Sequence, residues 1–167
     1  MEYLYHCYMG KSDRNRYREQ KTKERMALDE LIRLYPAFPK GKIRVSESPD
    51  FIVHTSRKRK TGIEFTRLTR SEEMLFSPVD RFHPAFSLDS IQQLIAFKES
   101  KIGLYRKQQL EKLWLVILVV DFDLPPSFNI HNHLDHWEPE TAFQAVLILH
   151  LTLQKVYEIK PPGGPRD

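Results

Sequence analysis

Eight consecutive apolar residues, Leu113-Trp114-Leu115-Val116-Ile117-Leu118-Val119-Val120, end abruptly at Asp121. A run of this length is too short to cross a bilayer, and it reads as a buried central strand. Such a strand is apolar on both sides, so a sheet built around it must be covered on both faces. The flanking sequence offers the cover. From Gln20 to Tyr35, apolar residues recur at Ala27, Leu28, Leu31, Ile32, Leu34 and Tyr35 with helical spacing, and Pro36 closes the helix. A second long helix is expected from a cap at Ser87 or Asp89 to about Glu111, with Ile91, Leu94, Ile95, Lys98, Ile102 and Tyr105 on one stripe.

Between the helices, Ile43-Arg44-Val45 and Phe51 to His54 read as extended, Arg57 to Gly62 as a turn, and Ile63 to Leu68 as a strand. After the apolar run, Ala145 to Leu151 and Val156 to Ile159 read as two strands joined by a short turn. Residues 69 to 86 and 122 to 140 read as loops. The expected order is α-β-β-β-α-β plus a C-terminal β-hairpin, an α/β fold with a mixed central sheet flanked by helices. Residues 1–19 read as an N-terminal arm or a short helix, 20–160 as a single domain and 161–167 as a flexible tail. A chain of 167 residues with 41% hydrophobic content needs no second core. One cysteine, Cys7, excludes an internal disulfide. The N-terminus lacks the apolar stretch of a signal peptide, so a soluble, cytoplasmic protein is expected.

Charge is distributed unevenly. From His54 to Arg70 the cations Arg57, Lys58, Arg59, Lys60, Arg67 and Arg70 face one acid, Glu64. Such a patch suits a polyanion, because phosphate contacts supply most nonspecific nucleic-acid affinity, while the alternative is a solvated hairpin tip. Within the same region, Pro49-Asp50 and Gly62-Ile63-Glu64-Phe65-Thr66 place two carboxylates on adjacent strands. Rotation by 100° per residue centres the first helix's stripe near Glu24 and sets Lys98 in the middle of the second helix's stripe, with Lys101 on its edge. Charges there are costly to bury unless paired or bound to a metal. A structural ion pair and a lysine snorkelling to water are the plainer readings.

The helix bearing Glu24, the pair Pro49-Asp50, the strand Gly62 to Thr66, and the helix bearing Lys98, Lys101 and Tyr105 ahead of the apolar strand together resemble the PD-(D/E)xK nuclease superfamily. The resemblance covers roughly residues 20 to 121. It implies a restriction-endonuclease-like core that hydrolyses phosphodiester bonds with Mg²⁺ or Mn²⁺. Asp50, Glu64 and the Phe65 carbonyl would be the metal ligands, Lys98 the catalytic lysine, Glu24 an auxiliary acid and Thr66 a site-lining residue. Thr66 stands where the family's lysine usually follows the acid by two residues, so the lysine would come from the next helix, from Lys98 or from Lys101. DNA is the expected substrate and RNA is compatible, with Arg57, Lys58, Arg59, Lys60, Arg67 and Lys101 as candidate nucleic-acid contacts. No membrane partner is expected, and a homodimer is compatible with the family's habit of pairing to cut both strands. The alternative is a weak or inactive nuclease-fold module that binds nucleic acid or a protein partner.

His131, His133 and His136 form a compact imidazole cluster of a kind that can hold Zn²⁺ or Ni²⁺, but a polar loop is the plainer reading, since no cysteine or second ligand cluster accompanies it. No phosphate loop, nucleophile elbow or Rossmann glycine pattern is present, which disfavours nucleotide-dependent chemistry.

Overall fold

The computed structural model describes residues 11–68, 88–119, 137 and 139–159. Their elements are α1 (Lys11–Leu34), β1 (Lys42–Val45), β2 (Phe51–His54), β3 (Lys60–Leu68), α2 (Leu88–Glu99), α3 (Ile102–Arg106), β4 (Lys112–Val119), β5 (Ala145–His150) and β6 (Lys155–Ile159). The strands form one mixed six-stranded sheet in the order β1-β2-β3-β4-β5-β6. Pairing is antiparallel from β1 to β3, parallel from β3 through β4 to β5, and antiparallel again between β5 and β6. The chain is therefore α/β. No helix among the described residues is long and apolar enough to cross a membrane.

The apolar run is the sheet's inner strand, and its alternate residues enter two different cores. Leu113, Leu115, Ile117 and Val119 pack with Ile91, Ile95 and Tyr105 from α2 and α3. Val116 and Leu118 pack with Ala27, Leu28 and Leu31 of α1. Because side chains alternate across a strand, β4 needs a helix on each face, and α1 and α2 supply them. On β3 the same alternation divides Glu64, Thr66 and Leu68, toward α2, from Ile63, Phe65 and Arg67 on the other side.

Three boundaries differ from the sequence reading. First, α1 already covers residues 11–19, ahead of the helix expected from Gln20, where the sequence reads as an arm or a short helix. Second, β3 begins at Lys60, so Lys60, Thr61 and Gly62 belong to the strand and the turn is confined to residues before them. Third, the second helix does not continue to Glu111: α2 stops at Glu99 and the short α3 follows. Its end is held by one local and one long-range contact. The Ser100 hydroxyl donates to the Phe97 carbonyl at 2.7 Å, and the Glu99 carboxylate accepts from the Thr141 hydroxyl at 2.7 Å. Glu111 is already committed to the sheet, since its N–H donates to the Lys60 carbonyl at 2.9 Å. A helix to that point would forfeit the start of the β3–β4 ladder. Residues 1–10, the 69–86 loop, most of the 122–140 loop with His131, His133 and His136, Ser87, Arg70, Cys7 and the 161–167 tail lie outside the described residues.

Gly62 sits where this sheet meets the Pro49 turn. A Cβ at Gly62 would stand 2.7 Å from Pro49 Cγ, 2.6 Å from Leu110 Cδ1 and 3.0 Å from Leu113 Cδ1. Leu110 can swing aside, but the proline ring cannot, so a methyl group here pushes on the residue next to Asp50. Gly62→Ala is expected to lower unfolding stability by about 1–3 kcal/mol in urea titrations, the usual cost of overpacking a tight contact. An unchanged midpoint would mean that the Pro49 packing is slack.

Candidate active site

Three carboxylates are buried near the start of β2, and each arrives by a different route. Asp50 directly precedes β2, Glu64 lies within β3, and Glu24 comes from α1; they are 8%, 5% and 7% exposed. The β2–β3 ladder ends at the pair Phe51 and Ile63, so β3 runs on past the start of β2. The freed Phe65 N–H is taken by Asp50 Oδ2 at 2.8 Å. In an extended strand the N–H and C=O of one residue point to the same edge, so the Phe65 carbonyl opens on the edge of β3 whose N–H Asp50 takes. A further backbone bond, from Ser46 N–H to the Asp50 carbonyl at 2.8 Å, closes the turn that carries the acid.

Two lysines meet these acids from opposite faces of the sheet. From α2, Lys98 Nζ lies 2.7 Å from Glu64 Oε1, with side chains 12% and 7% exposed. From α1, Lys21 Nζ lies 2.9 Å from Glu24 Oε2 and 3.3 Å from Asp50 Oδ1, and it donates to the Ser46 carbonyl at 3.3 Å. Gln20 Nε2 donates to Glu24 Oε1 at 2.8 Å and fixes that carboxylate. Glu64 Oε2 and the Tyr105 hydroxyl are buried without a hydrogen-bond partner. The phenol's pKa is raised by burial first and by the Glu64 carboxylate second.

The electrostatics follow from this crowding. Burial, and then the charges of Glu64 and Glu24, push the Asp50 carboxyl up to about 7 against the opposing pull of the Phe65 N–H and Lys21. Burial pulls the Lys21 ammonium down, but its bonds and ion pairs with Glu24 and Asp50 outweigh that effect and leave it above its ordinary value. The site thus holds more negative charge than its two lysines offset. An additional cation or a proton relieves it.

The sequence-predicted residues are distributed as follows. Glu24, Asp50, Glu64, Phe65 and Lys98 come together, and Thr66 is half-buried two residues beyond Glu64 on the same face of β3. Lys101 is half-buried at the α2–α3 junction, with its Nζ 5.1 Å from the centre of the Phe97 ring. Arg67 is exposed on the face of β3 opposite Glu64. The hairpin cations are not beside the acids. Roughly 13 Å of strand separates Lys60 from Glu64, and Arg57 and Lys58 are exposed still farther out in the turn. Arg59 is engaged with Glu111 through a bidentate pair, with contacts of 2.8 Å. This corrects the picture of a basic patch adjoining the carboxylates.

Lys21 was not singled out by the sequence. Its signal was there: it precedes Glu24 by three residues, the spacing that stacks two side chains on one helix face. Another buried titratable group, His150, lies elsewhere at the end of β5. It accepts from the Leu153 N–H through Nδ1 at 3.2 Å, and burial lowers its pKa, which marks a neutral imidazole bracing the β5–β6 turn.

Hard oxygen donors suit Mg²⁺ or Mn²⁺, and Glu64 Oε2, buried without a hydrogen-bond partner, is a donor such an ion could take. Among the described residues no three side chains drawn from His, Cys, Asp and Glu converge as a ready-made metal cluster. An ion here would therefore rest on two carboxylates, the carbonyl and water. Comparison of the chain with protein-family models, with curated proteins and with solved structures yields no significant match.

Asp50 makes the fold pH-dependent. Its folded pKa of about 7 exceeds the ordinary 3.8, so the folded protein binds a proton more tightly than the unfolded chain. Its contribution to stability is present below about pH 4 and is lost as pH rises toward 7. Asp50→Asn keeps an acceptor for Phe65 N–H and removes the charge. Urea unfolding should find this variant more stable than the parent at pH 8, by on the order of 4 kcal/mol, with little difference at pH 4. Equal stability at pH 8 would contradict the crowding of charge at this position.

Proposed function

We propose that this chain is a metal-dependent phosphodiesterase of the restriction-endonuclease-like type, cleaving nucleic acid with DNA as the expected substrate. The observation that carries the reading is the meeting of Asp50, Glu64 and Lys98 at the end of the β2–β3 ladder, with Lys98 Nζ 2.7 Å from Glu64 Oε1. The sheet adds support: an antiparallel β1-β2-β3 meander followed, through α2, by a parallel β4 is the order expected of a PD-(D/E)xK core.

In this reading Asp50, Glu64 and the Phe65 carbonyl hold Mg²⁺ or Mn²⁺, which supplies charge neutralisation at the phosphate and acidifies a bound water. Lys98 takes the part of the missing strand lysine. From α2 its ammonium reaches Glu64 and so stands beside any water held by that carboxylate, where it can orient the nucleophile or exchange a proton with it. Thr66 lines the same face. Arg57, Lys58 and Lys60 contact phosphates away from the scissile one: at about 3.4 Å per nucleotide along a strand, the 13 Å span corresponds to roughly four steps.

A second reading is favoured by the way Asp50 is occupied. One oxygen accepts from Phe65 N–H and the other pairs with Lys21, which is the arrangement of a carboxylate serving structure. On that reading the protein is an inactive nuclease-fold module that binds nucleic acid or a protein. Nicking of supercoiled DNA in Mn²⁺ separates the two. Glu64→Ala should abolish cleavage while leaving the circular dichroism spectrum intact, and Lys98→Ala should slow it by about 10² or more. Absence of cleavage by the parent protein on both DNA and RNA, with binding preserved in Glu64→Ala, would establish the module instead.

A further inference from the structure

The Lys21 ammonium lies among three oxygens: Glu24 Oε2 at 2.9 Å, Asp50 Oδ1 at 3.3 Å and the Ser46 carbonyl at 3.3 Å. Two carboxylates and a backbone carbonyl are the donors that a hard divalent cation takes. The seat is also built for a fixed charge. Gln20 holds Glu24 from one side, the turn closed by Ser46 N–H and the Asp50 carbonyl holds the other, and the Tyr17 ring centre lies 5.9 Å from the ammonium. Tyr17 itself donates its hydroxyl to Glu47 in the same turn. With a side chain only 17% exposed, Lys21 is held inside the site and does not trail into solvent.

Asp50 accordingly stands between two cation positions, one toward Glu64 and one toward Glu24. Resting on the reading of this site as a metal-dependent phosphodiesterase, we propose that Lys21 is a tethered cation occupying a second metal seat, so that the protein takes one divalent ion where its carboxylates would otherwise hold two. Charge balance favours this arrangement. With all three carboxylates ionised against two ammonium groups the site is left with one negative charge. A single divalent ion turns that to one positive charge, which a phosphodiester neutralises. A second ion added beside Lys21 would leave a large positive excess in a buried site, an expensive state. Lys21 is thus a positioning residue, holding Asp50 and Glu24 apart from each other's charge and limiting the number of metal ions.

Mn²⁺ titration, read by calorimetry and by electron paramagnetic resonance, tests the assignment. The parent protein should bind one Mn²⁺ per chain with an uncoupled spectrum. Lys21→Ala should bind two, with the spin coupling of a closely spaced pair; Lys21→Arg should return to one, and adding Glu24→Gln to Lys21→Ala should do the same. Two ions in the parent overturn the proposal without any variant, and one ion in a folded Lys21→Ala overturns it as well. Failure of the underlying reading looks different: the parent would bind no Mn²⁺, or would bind it equally after Asp50→Asn, and the proposal would fall with it.

Discussion

β4 is apolar on both faces, and that single constraint arranges everything around the acids. A strand with no polar face cannot sit at a solvated edge, so one helix must lie on each side of the sheet. α1 packs under Val116 and Leu118, and α2 with α3 packs over Leu115 and Ile117. Charged residues within those helix stripes are then carried into the protein from opposite directions. Lys21 and Glu24 come from below and Lys98 from above. They meet at the start of β2 because that is where the ladder stops and leaves β3's backbone open to a side chain.

The hydrogen bond from Phe65 N–H to Asp50 Oδ2 converts this architecture into a site. It ties the turn before β2 to the free part of β3 and sets Asp50 beside Glu64. The arrangement has a thermodynamic cost: a buried carboxylate is held next to two others, and its pKa rises toward neutrality as burial and like charge disfavour ionisation. Sites that bind cations commonly tolerate such local cost, since the ligand supplies the missing charge. If the proposed ion binds here, stability without it and affinity for it oppose each other at Asp50.

The element order was legible because it rests on periodicity and on one unbroken apolar run. So were the inward positions of Glu24 and Lys98, which require only a helical wheel. The limits of the sequence are equally specific. The end of α2 at Glu99 depends on Glu99 reaching Thr141, a contact between residues far apart in the chain. The part of α1 ahead of Gln20 lies in a stretch of charged residues with no apolar period to mark it. Lys21 is not legible in the sequence because a helical wheel ranks apolar residues, and its contacts are with Ser46 and Asp50, which are distant in sequence. The basic hairpin looked adjacent to Glu64 only because neighbouring residues on a strand are close in number. An extended backbone places them far apart in space.

The central claim is that Asp50, Glu64 and the Phe65 carbonyl form one cation site with Lys98 beside it. Anomalous diffraction from crystals soaked in Mn²⁺ measures that directly. The account predicts a single peak within about 2.0–2.3 Å of an Asp50 oxygen, Glu64 Oε2 and the Phe65 carbonyl, with Lys98 Nζ at hydrogen-bonding distance from a water on the ion. A map with no peak there at millimolar Mn²⁺, and Asp50 still shared between Phe65 N–H and Lys21, would contradict it.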